Sequence, residues 1–89
     1  MIRIDENLQV VVVVTQGKKE CSFYIPDFNV TVHGIDLLEA QANAITYASA
    51  IYYYNVERNI EFELDATYES AHKHCKTKKS FVTFIPLTK

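Results

Sequence analysis

The stretch "FYIPDFNVTVHG", from Phe23 to Gly34, decides how the rest of the chain is arranged. A strand-like run leads into Pro26-Asp27, a second strand-like run follows, and a glycine separates that run from the helix-forming "IDLLEAQANA". Proline cannot donate to a β ladder, and aspartate accepts hydrogen bonds from backbone amides in tight turns. The stretch therefore predicts two strands joined by a turn, followed by a helix.

Three strands are predicted in this half of the chain, of which the second and third are joined by the Pro26-Asp27 turn. Residues Leu8 to Thr15 include five consecutive valines, which predict a strand buried on both faces because β-branched side chains disfavour a helix. The stretch "QGKKE" supplies the turn that follows, in which Gly17 is free to take a positive φ. Cys21 to Ile25 is the second strand, and the alternation from Phe28 to His33 predicts a half-buried third strand.

A helix is predicted after Gly34. Asp36 and Glu39 form a capping-box-like pair at its start, and the helix should end near Asn55. Its small alanines allow a close approach to a sheet, and Gln41 interrupts an otherwise apolar face. The residues predicted on that face are Leu37, Leu38, Ala40, Ala44, Ile45, Ala48, Ile51 and Tyr52.

The remainder of the chain predicts one more helix and one more strand. Residues 60–64 alternate and indicate a short extended piece, and Asp65 is the expected cap of a helix that runs to about Lys76. Ser80 to Ile85 is the last strand, which Pro86 ends. We predict an α+β fold: an antiparallel three-strand meander, a helix on one face, and a last strand added in parallel through a right-handed crossover.

Length and composition are those of one small globular domain covering residues 1–89. The first residues carry no apolar signal segment, and the longest apolar run, Val10 to Val14, is far shorter than the roughly 20 residues of a membrane span. A cytoplasmic protein with no membrane association is expected. Cys21 and Cys75 are then expected to be free thiols, with Cys21 as a small core residue.

The charges divide unevenly along the chain. Residues 1–71 carry four basic and eleven acidic side chains, a balance of −7, whereas residues 72–89 carry five lysines and no acid, a balance of +5; together these give −2. The acidic body argues against general nucleic-acid binding and favours a basic protein partner. The basic segment "HKHCKTKK" is interpreted as a solvated loop, with phosphate contact as the alternative.

The element order and seven residues resemble the HicB family, the antitoxins of HicA–HicB toxin–antitoxin pairs. The matching residues are Tyr24, Pro26, Asp27, Gly34, Glu39, Ala40 and Ala44. The resemblance implies a partial ribonuclease-H-like β-β-β-α-β domain that binds and neutralises a small, basic, mRNA-cleaving HicA-type toxin by covering its active site. It also implies a protein without enzymatic activity or cofactor.

The resemblance implies a protein-binding surface on the helix and the Pro26-Asp27 turn, because tyrosine offers large contact area with little rotamer entropy. The candidate partner-binding residues are Tyr24, Asp27, Phe28, Tyr47, Tyr53 and Tyr54. Tyr52 belongs to the same cluster, for which core packing and ordinary surface are the competing interpretation. A homodimer is expected as well.

Two departures from the family qualify this expectation. The chain ends shortly after the last predicted strand, so no separate DNA-binding domain is expected and DNA binding by this chain alone is not predicted. The connection before that strand also lacks the family's proline-rich character. The alternative interpretation is an orphan HicB-like module that dimerises and has no toxin partner.

Catalytic and metal chemistry is weakly indicated. A nuclease of ribonuclease-H type needs converging carboxylates, but the first strand has none, and Asp27, Asp36 and Asp65 are scattered. His72, His74 and Cys75 have metal-ligand side chains, yet no second pair stands at ligand spacing, so a surface cluster is the favoured interpretation. His33 is expected to be a surface residue at a strand end. No catalytic residue and no metal ligand is predicted.

Overall fold

A computed structural model describes residues 8–60, 64–75 and 79–88 of the chain. Four strands and two helices follow one another in these ranges. They are β1 (Gln9–Gln16), β2 (Cys21–Ile25), β3 (Val30–Gly34), α1 (Leu37–Glu57), α2 (Tyr68–His72) and β4 (Ser80–Pro86). The fold is α+β, as predicted, with one long helix on an antiparallel sheet.

The four strands form one sheet in the order β3-β2-β1-β4, and every neighbouring pair is antiparallel. β1 therefore has a strand on each side. Its register places Val14 opposite Phe23 of β2 and opposite Phe81 of β4. β3 and β4 are the two edge strands.

β1 is buried on both faces, which confirms the interpretation of its valine run. Val10, Val12 and Val14 point to the face that carries α1, called the α1 face below. Val11 and Val13 point to the opposite face, called the second face. All five are at most 3% exposed, so each face must have its own cover.

The α1 face holds the larger part of the core. Three alanines on one stripe of α1, Ala40, Ala44 and Ala48, have no exposed surface and bring the helix backbone close to the sheet. The strands supply the large side chains of this core: Val10, Val12, Val14, Phe23, Ile25 and Ile85. Small residues on the helix thus meet large residues on the sheet, as the sequence predicted.

The second face is covered by α2 and the residues that lead into and out of it. Ala71 of α2 is fully buried against Val11 and Val13. The partly buried apolar side chains around them are Tyr24, Ala66, Cys75 and Val82. This smaller core was not predicted, although a strand buried on both faces requires one.

The start of α1 follows the predicted capping pair. The Asp36 side chain accepts a hydrogen bond from the Glu39 backbone N–H at 2.8 Å, and the Glu39 carboxylate accepts one from the Ile35 N–H at 3.2 Å. Each side chain thereby satisfies a backbone donor near the helix start.

α1 ends at Glu57, two residues beyond the predicted end near Asn55. Asn59 has a left-handed backbone conformation, with a φ of 55°. The Asn59 N–H donates to the Val56 carbonyl, and the Ile60 N–H donates to the Asn55 carbonyl. This is a Schellman ending with asparagine in the left-handed position, a residue type that tolerates it.

Gly34 is required by a close approach of α1. A Cβ at this position would lie 2.3 Å from the Ala40 backbone nitrogen, so the first turn of α1 sits where any side chain would be. Gly17 does not take the positive φ that is open to a glycine in this turn, since none of the described glycines has one. Its N–H instead closes the β1–β2 turn on the Glu20 carbonyl at 2.8 Å.

The predicted parallel pairing of the last strand is wrong: β4 is antiparallel to β1. After α1 has crossed the α1 face, the chain crosses the sheet a second time through α2 on the second face. β4 therefore enters beside the end of β1, with Ser80 opposite Thr15, and runs back along it. The extra crossing reverses the direction that a single crossover would have given.

Several boundaries differ from the predictions. β3 begins at Val30 and not at Phe28, because the Phe28 and Asn29 N–H groups close a turn on Ile25 and Pro26. The cap of α2 is Thr67 and not Asp65, and α2 ends at His72. The predicted extended piece at 60–64 and the predicted helix end at Lys76 fall partly or wholly outside the described residues.

Two predicted core residues of α1 lie at the surface. Leu38 is 79% exposed and Leu37 is 39% exposed, because only the alanine stripe of this part of the helix faces the sheet. Gln41 is also exposed, so it does not interrupt the buried face. Helical periodicity identified the buried stripe but made it too broad.

Replacing Gly34 by alanine tests the close approach of α1. The added methyl group would overlap the backbone at Ala40, so we expect Gly34→Ala to lower the free energy of unfolding by about 3 kcal/mol. Urea denaturation measures this loss. Gly17→Ala is the matched control, because its Cβ would meet the Glu20 carbonyl oxygen at 3.0 Å, and we expect a loss of less than about 1 kcal/mol. Equal losses in the two variants would contradict the account.

Candidate protein-binding surface

The outer side of α1 presents three of the predicted tyrosines on one exposed surface. Tyr47 and Tyr54 are seven residues apart and are 49% and 52% exposed. Tyr53 lies on the adjoining stripe and is half-buried. We call the surface formed by Thr46, Tyr47, Ala50, Tyr53, Tyr54 and Glu57 the tyrosine face.

The tyrosine rings are held by their neighbours. The Arg58 guanidinium carbon lies 4.6 Å from the centre of the Tyr54 ring, in a cation–π arrangement. The Tyr53 ring meets the Tyr52 ring edge to face, with 5.0 Å between centres. These contacts restrict the rings before any partner binds, which lowers the entropy lost on binding.

Shallow grooves run along both sides of the tyrosine face. One lies between α1 and the edge strand β3 and is lined by Val32, Asn43, Tyr47 and Ala50. The other runs along the opposite side of the helix, where Tyr53, Glu57 and Thr88 contribute. Shallow grooves of this kind can accept aromatic side chains of a partner.

Tyr24 lies on the second face, away from the tyrosine face. Its ring centre is 5.0 Å from that of His74, and its hydroxyl donates to the Asn29 side-chain oxygen at 3.0 Å. Tyr24 also packs against the core around Ala71. The structure therefore gives Tyr24 internal contacts that the sequence did not predict.

Asp27 and Phe28 lie in the β2–β3 turn and also make internal contacts. The Asp27 carboxylate accepts a hydrogen bond from the Ala66 N–H at 2.9 Å, which joins the turn to the segment before α2. Phe28 packs against the core of the α1 face. Of the six predicted residues, the structure brings together Tyr47, Tyr53 and Tyr54 and separates them from the other three.

The surroundings of Asp27 affect its ionisation. Burial raises the pKa of the Asp27 carboxyl, and the neighbouring Asp65 raises it further through its charge and its side-chain hydrogen bond. Backbone N–H groups of Ala66 and Asp65 oppose this by stabilising the charged form. The net direction is upward.

The histidines and cysteines take part in packing. The rings of His72 and Tyr68 lie 6.1 Å apart, and Cys75 packs beneath α2 on the second face. Cys21 is a buried core residue, as predicted, and burial raises the pKa of its thiol. Within residues 8–60, 64–75 and 79–88, no three His, Cys, Asp or Glu side chains are placed to hold a metal ion.

His33 is a surface residue at a strand end, as predicted. Its Nδ1 lies 3.7 Å from the Glu20 carboxylate, and both side chains are more than half exposed. Its backbone carbonyl accepts a hydrogen bond from the Asn43 side chain at 3.0 Å. α1 is thereby tied to the β3 edge of the sheet.

Two features of the surface were not predicted. Ser49 is buried on α1 and accepts a hydrogen bond from the Thr88 N–H at 2.8 Å, which ties the residues after β4 to the helix. Phe81 and Phe84 of β4 are 43% and 49% exposed. The run "SFVTFI" gave no sign that two of its aromatic residues would remain at the surface.

A comparison with protein-family models found no match, and comparisons with curated proteins and with solved structures found no significant match either. Neither helix of the described residues has the length and apolar character needed to cross a membrane.

The raised pKa of Asp27 predicts a pH effect on stability. The unfolded chain releases this proton near the ordinary value of 3.8, whereas the folded chain holds it to a higher pH. Between these two values the folded state binds more protons, so the contribution of Asp27 to the free energy of unfolding falls as the pH rises. Asp27→Asn keeps the oxygen that accepts from Ala66 and removes the titration.

Urea denaturation of both proteins across this acid range measures the effect, because the other titrating groups cancel in the difference. We expect the stability of Asp27→Asn relative to the wild type to increase as the pH rises. Asp27→Ala is the control: it also removes the titration but leaves the Ala66 N–H without its acceptor, so its stability should lie about 1–2 kcal/mol below that of Asp27→Asn at every pH. A constant difference between Asp27→Asn and wild type would show that the folded and unfolded states release this proton together.

Proposed function

We propose that this chain is a HicB-like antitoxin, a module that binds a small basic HicA-type ribonuclease and blocks it by covering its active site. The observation that carries the proposal is the tyrosine face: a continuous exposed surface with Tyr47 and Tyr54 at its centre. The resemblance of the sequence to the family supports the same proposal, and so does the order of three strands, a long helix and a last strand, in which the short α2 precedes that last strand. The ribonuclease-H-like character of the domain is part of the proposal.

Charge supports a basic partner. Residues 1–71 have a balance of −7. On the tyrosine face itself the exposed Glu57 carboxylate stands next to Arg58, which lies over Tyr54, so the attraction comes from the acidic body of the chain. Opposite charges on two proteins accelerate their encounter and favour the correct orientation. A ribonuclease must carry positive charge where it holds the RNA backbone, so an acidic partner is attracted to that surface.

Inhibition then requires no chemistry from this chain. The tyrosine rings would pack against the ribonuclease and exclude the RNA strand from the site. Tyrosine suits this role because its ring buries a large area, its hydroxyl can still find a hydrogen-bond partner, and little rotamer entropy is lost. The contacts of Tyr54 with Arg58 and of Tyr53 with Tyr52 place the rings in advance.

The proposal predicts a short reading frame beside this gene and is tested by co-expression of the two products. We expect the neighbouring protein to arrest growth when expressed alone, to be harmless when this chain is present, and to co-purify with it. If the neighbour is absent, is harmless or does not co-purify, the proposal fails and an interaction module without a toxin remains.

The contact itself is tested by removing the two most exposed rings of the tyrosine face. We expect the double variant Tyr47→Ala/Tyr54→Ala to weaken binding of the neighbouring protein about 30-fold or more, the effect of losing hot-spot residues. Calorimetric titration measures the affinity. Tyr68→Ala is the matched control, because Tyr68 is as exposed as Tyr54, at 52%, but lies on α2. Loss of binding in the control alone would place the contact on the other side of the sheet.

A further inference from the structure

The two edge strands of the sheet are protected to different degrees. At β3, the Asn43 side chain donates to the His33 carbonyl, and α1 packs along the strand. β4 pairs with β1 on one side, and among the described residues no strand pairs with its other side. Monomeric proteins usually protect such an edge with charged side chains or a covering element.

β4 has little of this protection. The strand "SFVTFIP" contains no charged residue, and both of its aromatic side chains are exposed, on opposite faces. Phe81 lies opposite Val14 and so points to the α1 face, whereas Phe84 lies opposite Val11 and points to the second face. Pro86, which can limit pairing at an edge, stands only at the last position of the strand.

The backbone of β4 shows which groups point outward. The Leu87 N–H donates to the Leu8 carbonyl, and the Lys79 carbonyl accepts from the Gln16 N–H, so odd-numbered residues face β1. The N–H and C=O groups of Val82 and Phe84 therefore face away from the sheet. A partner with a free strand edge would satisfy them.

We propose that β4 is the surface through which two copies of this chain pair, antiparallel and about a two-fold axis at Thr83, to join two four-stranded sheets into one of eight strands. A second copy fits because the strand is self-complementary. No charged side chain of β4 would meet its own copy, and a symmetric pairing closes after two chains. The pairing does not depend on the proposed antitoxin function.

The side chains select the register. With Thr83 opposite Thr83 of the second copy, Phe81 lies opposite Ile85, and Val82 lies opposite Phe84. Every apolar side chain then meets another, and two threonines meet at the axis. A shift of the axis to Val82 would place Phe81 opposite threonine and Ile85 opposite Lys79. A shift to Phe84 would place Thr83 opposite Ile85, and it would move Pro86, which has no N–H to donate, from its place opposite Ser80 at the strand end to a place opposite Val82.

The helices leave room for this arrangement. In the pairing, both copies of α1 lie on the same side of the joined sheet, because the axis is perpendicular to it. α1 packs mainly on β2 and β3, at the far side of each sheet, which is why Phe81 is exposed on the α1 face. The contact is one strand long and falls at the small end of protein interfaces, so we expect a dissociation constant in the micromolar range.

Cysteine cross-linking tests the pairing and its register in a Cys75→Ser background. Thr83 would form a pair that is not hydrogen-bonded to its copy, with Cα atoms about 4.5 Å apart, within the range that a disulfide spans. We expect Thr83→Cys to form a disulfide-linked dimer at least ten times faster than Thr31→Cys, an exposed position on the β3 edge. Phe81→Cys should cross-link slowly, because position 81 of one copy would lie opposite Ile85 of the other and far from position 81 of the other.

An equal rate for Thr83→Cys and Thr31→Cys would overturn the proposal, and a faster rate for Phe81→Cys than for Thr83→Cys would overturn the register.

Sedimentation equilibrium of the unmodified chain supplies a second measurement. A dimer that forms at micromolar concentration and is lost in Phe84→Pro supports the pairing, since this N–H makes no bond to β1. Phe84→Lys is a second variant should the proline disturb folding. A monomer at about 0.5 mM, far above the expected constant, or a dimer that persists in both variants, would exclude the pairing.

Discussion

The burial of β1 on both faces is the constraint on which the rest of the structure depends. Burying one valine side chain contributes about 1.5–3 kcal/mol, so Val11 and Val13 together account for about 3–6 kcal/mol. The whole free energy of unfolding of a small domain is about 5–15 kcal/mol. A sheet covered only by α1 would therefore lose a large part of its stability. The segment around Ala71 supplies the second cover.

The second cover also determines the direction of β4. The chain crosses the sheet once as α1 and once more on the second face before β4 begins. Two crossings bring the chain back to the end of β1 near Thr15, so β4 can only run antiparallel to it. The contact of Asp27 with Ala66 holds the start of the second crossing against the β2–β3 turn. The burial of β1 on both faces thus accounts for the position of α2, for the contact between Asp27 and Ala66, and for the direction of β4.

The sequence predicted the elements whose signals are local. The valine run, the bounds of β2, the Asp36 cap and the alanine stripe of α1 each depend on a few neighbouring residues, and the structure confirms them. The direction of β4 and the exposure of Leu38 depend on where distant elements lie, which no local pattern contains. The requirement for glycine at position 34 also depends on packing between elements, because the backbone of α1 at Ala40 lies where a side chain would be.

The candidate site was predictable to a similar extent. The sequence placed Tyr47, Tyr53 and Tyr54 on one helix. The contacts of Tyr24 with His74 and of Asp27 with Ala66 depend on the second crossing, which the sequence did not reveal. The tyrosine face adjoins β3 on one side and Thr88, two residues after β4, on the other, whereas the proposed pairing is centred on Thr83 within β4.

The most direct test of the double cover is a nuclear Overhauser measurement on the isotopically labelled protein. The account predicts cross-peaks between the Hα atoms of Val13 and Val82 and of Val11 and Phe84, since these antiparallel pairs are not hydrogen-bonded to each other. It also predicts contacts of the Ala71 methyl group with the methyl groups of Val11 and Val13. Absence of the Ala71 contacts, or Hα contacts that fit a parallel β4, would contradict it.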